Sequence, residues 1–543
     1  MIDMESHRHG SAGFCDARMR RKAGLNRSNG AFVGIDEAGR VCRSDQQSAI
    51  LLCGGARSGK GNLITRWLVD GAIGDKNGSH NIINMDWKGQ DSPIASLQVT
   101  QGGRIYTFNP RRKRDQPSHH INPLSHLMAS SPTLVADALL SSASWIPYTD
   151  PKAAYFEGMA QKLNAAVSIS LVRKNGNVTL PEIADKVAGL GTATEEWLDM
   201  EYEISIQPEP EIREIATDLR KLREGNSDAG GFAGIKNEIA RSYTCLMDSQ
   251  MRDALSPPFD FCFSDLTREN SPPAMVSIME DLEYAEVSGP VIRALYTCAL
   301  VFKRRAPTAR PQFWCLNEIG NIGAWPLAET LATISAGFGI RTAYVVQSTR
   351  QLENLKRGAS EVIPNSCGTA IYMGTRSTQQ AALISRQLGK ITLSFDDITT
   401  QTRARAAKSK AMLDMVLHYA DPINAAMTAA HQDQLINHQQ KMARELRSVD
   451  EVINEKNDRA YVFMPGVLER PFYAQIPKYW TCRDLAGKYL GDPFHAKPGT
   501  VEIATWLGQR HRKIITEPVP PQYADWPQYR DSGQWSYVKG YRP

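Results

Sequence analysis

The chain has 543 residues, with 63 Lys and Arg against 58 Asp and Glu, a formal net charge of +5. Hydrophobic residues make up 42% and charged residues 22%, enough to bury large cores, which excludes a disordered chain and suggests two folding units. So small a surplus of positive charge is by itself no argument for a nucleic-acid partner, and the positions of the charges matter more.

No run of about 18 uninterrupted apolar residues occurs, and Met1 to Gly10 lack the charged-then-apolar order of a secretory signal, so a cytoplasmic location is expected. The nine cysteines form no C-x-x-C pair, which predicts small buried residues in a reducing compartment, not a zinc or disulfide framework.

Ala49 to Cys53 is an apolar run read as a strand, Gly54-Gly55-Ala56-Arg57-Ser58-Gly59-Lys60-Gly61 follows directly, and residues 62–71 read as a helix through Leu63, Ile64, Trp67 and Leu68. Strand, G-x-x-x-x-G-K and helix in that order predict a phosphate-binding loop. Its glycines let backbone N–H groups converge on phosphates, and the helix N-terminus adds its positive dipole end beneath them. Lys60 is expected to reach the β- and γ-phosphates of ATP, with Gly54 to Gly61 and Asn62 forming the cradle. Gly61 stands where Ser or Thr would ligate Mg²⁺, so Asn62 or water has to fill that place.

Three further strands are predicted to end in polar tips. Residues 81–85 lead into Asp86-Trp87-Lys88-Gly89, a carboxylate and a lysine where open α/β sheets place ligand chemistry; Asp86 is a candidate metal-site residue. Residues 312–316 end in Asn317-Glu318, where such sites want one acidic residue for Mg²⁺ and another to orient water. Glu318 can act on the water, whereas a neutral Asn317 at the metal position predicts slow hydrolysis. Residues 342–346 end in Gln347, an amide able to sense the γ-phosphate, and residues 370–373 form a fifth strand before Gly374-Thr375-Arg376. Repetition of strand and polar tip makes the expected fold class α/β: a RecA-like P-loop domain with a mainly parallel sheet.

More than 200 residues separate the second and third of these strands, too many for a loop, and their helical spacing predicts an inserted all-α domain at about 125–270. The expected division is therefore 1–124 and 271–480 for the nucleotide-binding domain, 125–270 for the insertion and 481–543 for a tail, which beyond Glu517 is too poor in aliphatics for its own core. From Glu195 to Glu214 there are eight acidic residues and one basic residue, Arg213, a surface suited to a protein partner and repellent to DNA. Basic clusters lie at Arg18 to Lys22, Arg111 to Arg114, Lys303 to Arg305 and Arg403 to Lys410; one or two are expected to contact DNA phosphates, and the first could instead meet anionic lipid. Residues 414–447 read as one long helical segment, and 460–463 as a last strand. If the site is completed by a neighbouring subunit's arginine, Arg341, Arg376 and Arg386 are candidates, Arg376 directly after a strand end.

From His9-Gly10-Ser11-Ala12 to about Tyr479, the sequence resembles the soluble part of TraG/TraD-like coupling proteins of type IV secretion and conjugation. The residues that carry this are Ala56 to Gly61, Asp86-Trp87-Lys88-Gly89, Asn109-Pro110, Asn122-Pro123, Asn317-Glu318-Ile319-Gly320, Gly339-Ile340-Arg341 and Gln347 to Leu352. The resemblance implies ATP and Mg²⁺ as cofactors, single- or double-stranded DNA, relaxase or effector proteins and the secretion-channel ATPases as partners, and a homo-hexamer whose all-α domain receives the substrate. It also accommodates Gly61. Asn317 departs from the usual Asp, and the N-terminal membrane helices common in relatives do not precede the first motif here, which leaves a peripheral place at the inner membrane as the alternative to a free cytoplasmic one. The expected function is an ATP-driven translocating coupling protein. The alternatives are a nucleotide-gated adaptor with little turnover, which Asn317 motivates, and a chromosome-partition or pilus-assembly ring ATPase, which would have no reason for the helical insertion.

Overall fold

The described residues up to 475 form thirteen strands, β1 (Ala31–Ile35), β2 (Val41–Ser44), β3 (Ile50–Gly54), β4 (Asn81–Asp86), β5 (Arg104–Phe108), β6 (Ala274–Met279), β7 (Gln312–Asn317), β8 (Ile340–Val346), β9 (Thr369–Met373), β10 (Lys390–Asp396), β11 (Gln439–Glu445), β12 (Arg459–Phe463) and β13 (Phe472–Gln475). Three more, β14 (Thr500–Thr505), β15 (Gly508–Pro518) and β16 (Gln534–Val538), follow near the C-terminus. The structure is a computed structural model that describes residues 10–542 apart from 28, 71–79, 97–102, 150, 190–194, 225–229, 397, 418–420, 437–438 and 496. His9 and Gly71, placed above in a motif and at a helix end, lie outside the described residues.

The chain divides into two compact units, one comprising Ala17–Gly374, Lys456–Leu468 and Tyr473–Pro543, the other Met1–Asp16, Thr375–Glu455 and Glu469–Phe472. This division differs from the expected one: the helical insertion stays with the sheet, and the segment that separates is 375–455.

In the larger unit, eleven strands run in the order β2-β1-β13-β12-β9-β3-β8-β7-β4-β6-β5. The seven strands from β9 to β5 are parallel, and antiparallel pairs add β12 beside β9 and β2 beside β1. β3 sits between β8 and β9 with Ile50, Leu51 and Leu52 wholly buried, each worth about 1.5–3 kcal/mol of apolar transfer. Strands buried on both faces lose the period-2 alternation, which is why β3 and the later residues of β8 and β9 read as apolar runs.

The outer edge of β5 is closed by side chains. Ile105 N–H donates to Gln528 Oε1 (3.0 Å) and Gln528 Nε2 donates to the Gly103 carbonyl (3.1 Å). Thr107 N–H donates to His119 Nδ1 (2.9 Å), and the His119 backbone N–H returns to the Thr107 carbonyl (2.8 Å).

The insertion is helical as expected, with helices Leu134–Trp145, Ala154–Asn175, Leu180–Ala188, Glu195–Ser205, Pro210–Glu224 and Gly230–Ser242. Thr179 and Glu182 form a capping box at the start of the third of these, and Gly176, in the left-handed region at φ 81°, ends the second. A further helix, Leu282–Arg305, is long and apolar enough to cross a membrane, but 89% of its most apolar 18-residue window is buried inside the protein, as a core helix would be.

The C-terminal segment makes more structure than its aliphatic content predicts. β14, β15 and β16 form a three-stranded antiparallel sheet, and aromatic rings take the place of aliphatics: Tyr529, Trp535 and Tyr537 are buried together with Ile515 and Trp526 against them. In the smaller unit, the predicted long helix of 414–447 is broken: helices Ile398–Leu417 and Pro422–Ile436 pack on each other, and residues 439–445 instead pair as β11 with β10. Eight of the nine cysteines are buried and free, and Cys262 is half-buried.

Candidate active site

The phosphate-binding loop is shaped by close approaches that only glycine allows. A Cβ on Gly54 would lie 2.6 Å from the Met373 carbonyl oxygen, and one on Gly374 would lie 2.4 Å from Ser58 Cβ. Gly59 takes φ 92° at the N-cap of the Lys60–Val69 helix, and Arg57 is also left-handed at φ 58°. The Gly55 N–H donates to the Gly374 carbonyl (3.2 Å), tying the loop to the tip of β9. Around Gly61 a Cβ would meet nothing within 4 Å, so the missing hydroxyl is not forced by crowding.

Lys60, Glu318 and Gln347 converge at the ends of β3, β7 and β8. Lys60 Nζ donates to the Gly54 carbonyl and lies 3.5 Å from Glu318 Oε1. Burial pushes the Lys60 ammonium below its ordinary pKa, and Glu318 opposes that shift. Gln347 Nε2 donates to the same Glu318 oxygen at 3.3 Å. Glu318 Oε2 is buried with no hydrogen-bond partner among the described residues, and its backbone sits at φ 47°, unfavourable for a residue with a Cβ. Unpaired oxygen and strained backbone occur together on the residue expected to handle the water.

Asn317 and the Asp86 loop are linked through backbone: Trp87 Nε1 donates to the Asn317 carbonyl at 2.7 Å. Asp86, expected at the metal, has a different task in the structure. Its side chain is buried, Oδ1 accepts from the N–H groups of Lys88 (3.3 Å) and Gln90 (3.1 Å), and Oδ2 accepts from that of Ser92 (2.9 Å). These bonds hold the turn that carries Trp87. Among the described residues no group of three or more His, Cys, Asp or Glu side chains is arranged to hold a metal ion.

Asp91 escaped the sequence reading because Asp at a helix start looks like an ordinary first-turn residue. It is buried next to Asp86, and Thr65 Oγ1 on the loop's helix donates to its Oδ1 at 3.3 Å. Burial, then the Asp86 charge, push the Asp91 carboxyl up to about 8, so it holds a proton at neutral pH. Arg293 was equally invisible. This buried side chain donates to the carbonyls of Ser144 (2.7 Å), Trp145 (3.2 Å) and Ile322, joining the end of an inserted helix to the turn after Glu318.

Of the arginines considered for a neighbouring site, Arg341 is ruled out by position. It lies buried in β8, Nη1 donates to the Ser44 carbonyl (3.0 Å), and burial lowers its pKa to about 10. Arg376 and Arg386 are exposed and belong to the smaller unit. Much of the basic charge is likewise consumed internally. Arg20 pairs with Asp36 and Glu37, Arg111 with Asp248 (2.7 Å) and Glu280, Lys113 with Asp281 (2.7 Å), and Arg304 and Arg305 both with Asp137 (2.6 and 2.7 Å). In the fourth cluster Arg403, Arg405 and Lys410 are exposed. On the acidic insertion, Leu198, Tyr202 and Ile206 are exposed at helical spacing, alongside the exposed carboxylates of Glu195, Glu196 and Asp199.

Comparison with known proteins gives a family model described as "Type IV secretory system Conjugative DNA transfer", which matches residues 10–413. Among solved structures, an unbound form of the bacterial conjugative coupling protein TrwBdeltaN70 superposes with a TM-score of 0.59 at 12% identity, covering 87% of this chain and 97% of that one. The plasmid coupling protein TrwB in complex with ADP and Mg²⁺ gives 0.56 at 12% identity, covering 86% and 94%. The same protein with a non-hydrolysable ATP analogue gives 0.56 at 12%, covering 86% and 93%. At such identities the likeness establishes the fold: a P-loop α/β domain with a helical domain. No curated protein sequence matches.

Proposed function

The chain belongs to the conjugative DNA transfer family of type IV secretory systems, and from that premise we propose that it is an ATP-hydrolysing coupling protein that recruits a relaxase–DNA or effector substrate and drives its transfer. The observation that carries the ATPase reading is the meeting of Lys60, Glu318 and Gln347 beside a glycine-shaped loop. A γ-phosphate would draw Lys60 from the Gly54 carbonyl, leaving Glu318 to orient water and Gln347 to report on both. The loop fits a nucleotide; Mg²⁺ would be held chiefly by phosphate and water oxygens, with Asn317 as this chain's candidate ligand, because Gly61 has no hydroxyl and the Asp86 oxygens hold the turn. TrwB bound to ADP and Mg²⁺ supports the same pair of cofactors.

The substrate receptor in this reading is the insertion, domain 125–270, whose exposed Leu198, Tyr202 and Ile206 stripe among carboxylates suits a basic, amphipathic protein segment. Arg403, Arg405 and Lys410 are the candidates for DNA phosphate, Arg376 for completing a neighbour's site in a homo-hexamer, and the secretion-channel ATPases are the remaining partners. The protein's expected place is the cytoplasm, with a peripheral position at the inner membrane as the alternative. Asn317 favours a second reading, a nucleotide-gated adaptor with little turnover. Steady-state ATPase with and without single-stranded DNA tests both: DNA-stimulated turnover that Lys60→Ala abolishes is expected, whereas tight ATP binding with no turnover would assign the adaptor role. Intact DNA transfer by Lys60→Ala would refute the motor.

A further inference from the structure

The hairpin of β14 and β15 ends in a tip whose residues the fold does not require. Thr505 and Gly508 pair directly, so Trp506 and Leu507 form a two-residue loop. Gly508, at φ 91°, carries the left-handed conformation. Thr505 Oγ1 braces the turn, donating to the Gly508 carbonyl (2.7 Å) and accepting from the Leu507 N–H (3.3 Å). Loops of this length favour Asn, Asp and Gly, and nothing in the turn calls for large apolar side chains. Yet Trp506 is 90% exposed and Leu507 82%, two of the three most exposed large hydrophobic residues among those described. Adjacent on a braced tip, they make a contact surface and not scattered exposure.

Positive charge follows the tip at once. Arg510, Arg512 and Lys513 are exposed, and none has an ion-pair partner among the described residues. By register Arg510 and Arg512 share one face of the hairpin with Ile503 and Val501, and Lys513 lies on the other beside Thr500, so the strand is basic on both sides. Glu502, opposite His511, is the one carboxylate between Thr500 and Lys513. Arg483 adds an exposed cation 4.4 Å from the centroid of the Trp506 ring. Charge on an edge strand can deter pairing with other strands, which accounts for the basic residues but not for a bare Trp–Leu tip. Nucleic acid would use the charge and one ring, but Arg483 already covers a face of Trp506, and aliphatic Leu507 gives a base nothing to stack on. An anionic bilayer uses every part: Trp and Leu suit the boundary between headgroups and acyl chains, and the cations behind them suit the headgroup phosphates.

We propose that the β14–β15 tip is a membrane-contact site, at which Trp506 and Leu507 enter the headgroup boundary of an anionic phospholipid bilayer while Arg510, Arg512 and Lys513 meet its phosphates. It stands independently of the ATPase reading. The test is sedimentation of the whole protein with vesicles of phosphatidylcholine alone and of equimolar phosphatidylcholine and phosphatidylglycerol. Binding to the mixed vesicles, well above that to the neutral ones, is expected. Replacing Trp506→Ser and Leu507→Ser together weakens it about tenfold or more, and Arg510→Gln, Arg512→Gln and Lys513→Gln weaken it about fivefold for each charge removed. Trp506→Phe with Leu507→Ile retains binding, and unfolding midpoints in urea match the parent throughout, which separates lost contact from lost folding. Single-stranded DNA, titrated in place of vesicles, examines the other occupant. No sedimentation with mixed vesicles up to about 1 mM lipid, or equal sedimentation of the double serine variant, overturns the proposal. So does a double serine variant that loses DNA binding while its vesicle binding is unchanged.

Discussion

Replacing Asp91 by Asn tests whether a proton is stored beside the nucleotide loop. In the folded chain the Asp91 carboxyl is raised from 3.8 to about 8, by burial and then by the Asp86 charge. A carboxyl whose pKa rises on folding contributes stability that is complete below the unfolded value and is lost as pH climbs through the folded one. Between pH 4 and 8 the folded state thus holds a proton that the unfolded state releases, and stability falls as pH rises. At about 1.4 kcal/mol per pH unit, the loss reaches about 4 kcal/mol by pH 7 as an upper bound. Asn keeps an acceptor for Thr65 and carries no proton to lose, so the variant should match the parent near pH 4 and exceed it by up to that amount at pH 7. Urea unfolding followed by tryptophan fluorescence is well suited, because all ten tryptophans lie in the larger unit. Parallel stability curves for parent and variant from pH 5 to 8.5 would show that Asp91 is not the proton carrier.

Three other substitutions probe neighbouring parts of the site. Gly61→Ser places a hydroxyl into open space and should lower the Mg²⁺ concentration for half-maximal ATP turnover several-fold, leaving ADP affinity without metal unchanged; an unaltered Mg²⁺ curve would mean the hydroxyl does not reach the ion. Arg341→Met removes a buried cation whose Nε and Nη2 lack partners among the described residues and should change urea stability by no more than about 1 kcal/mol, with turnover retained, whereas a loss above about 3 kcal/mol would reveal an essential role. Arg293→Met strips three carbonyls of a charged donor and should cost about 3–5 kcal/mol in the same assay; a loss under 1 kcal/mol would deny it a part in fixing the Glu318 turn.

The local part of the site could be read from the chain because its chemistry is local. Gly54 to Gly61, Glu318 and Gln347 each follow an apolar run directly, and parallel strands deliver their C-terminal ends to one side of the sheet. What escaped depends on partners distant in sequence. Arg111 is spent on Asp248 and Glu280, 137 and 169 positions away, and Arg304 on Asp137, 167 away; no reading of a basic run reveals which members are already neutralised. Asp91 is unusual only through its burial beside Asp86, and Arg293 only through the three carbonyls that surround it. The C-terminal segment misled for another reason: its core is aromatic, so a tally of aliphatics undervalued it.

Gln528 carries a consequence for how the protein is made. Its side-chain amide stands in for a missing neighbour on β5, yet it is synthesised more than 400 residues after the strand it covers. Until then, part of the flank of the growing sheet presents bare backbone groups, a template for strands of other chains. A chain still lacking this segment is therefore more prone to sticking than the folded molecule, and Gln528, once it emerges, works as a seal that ends this exposure.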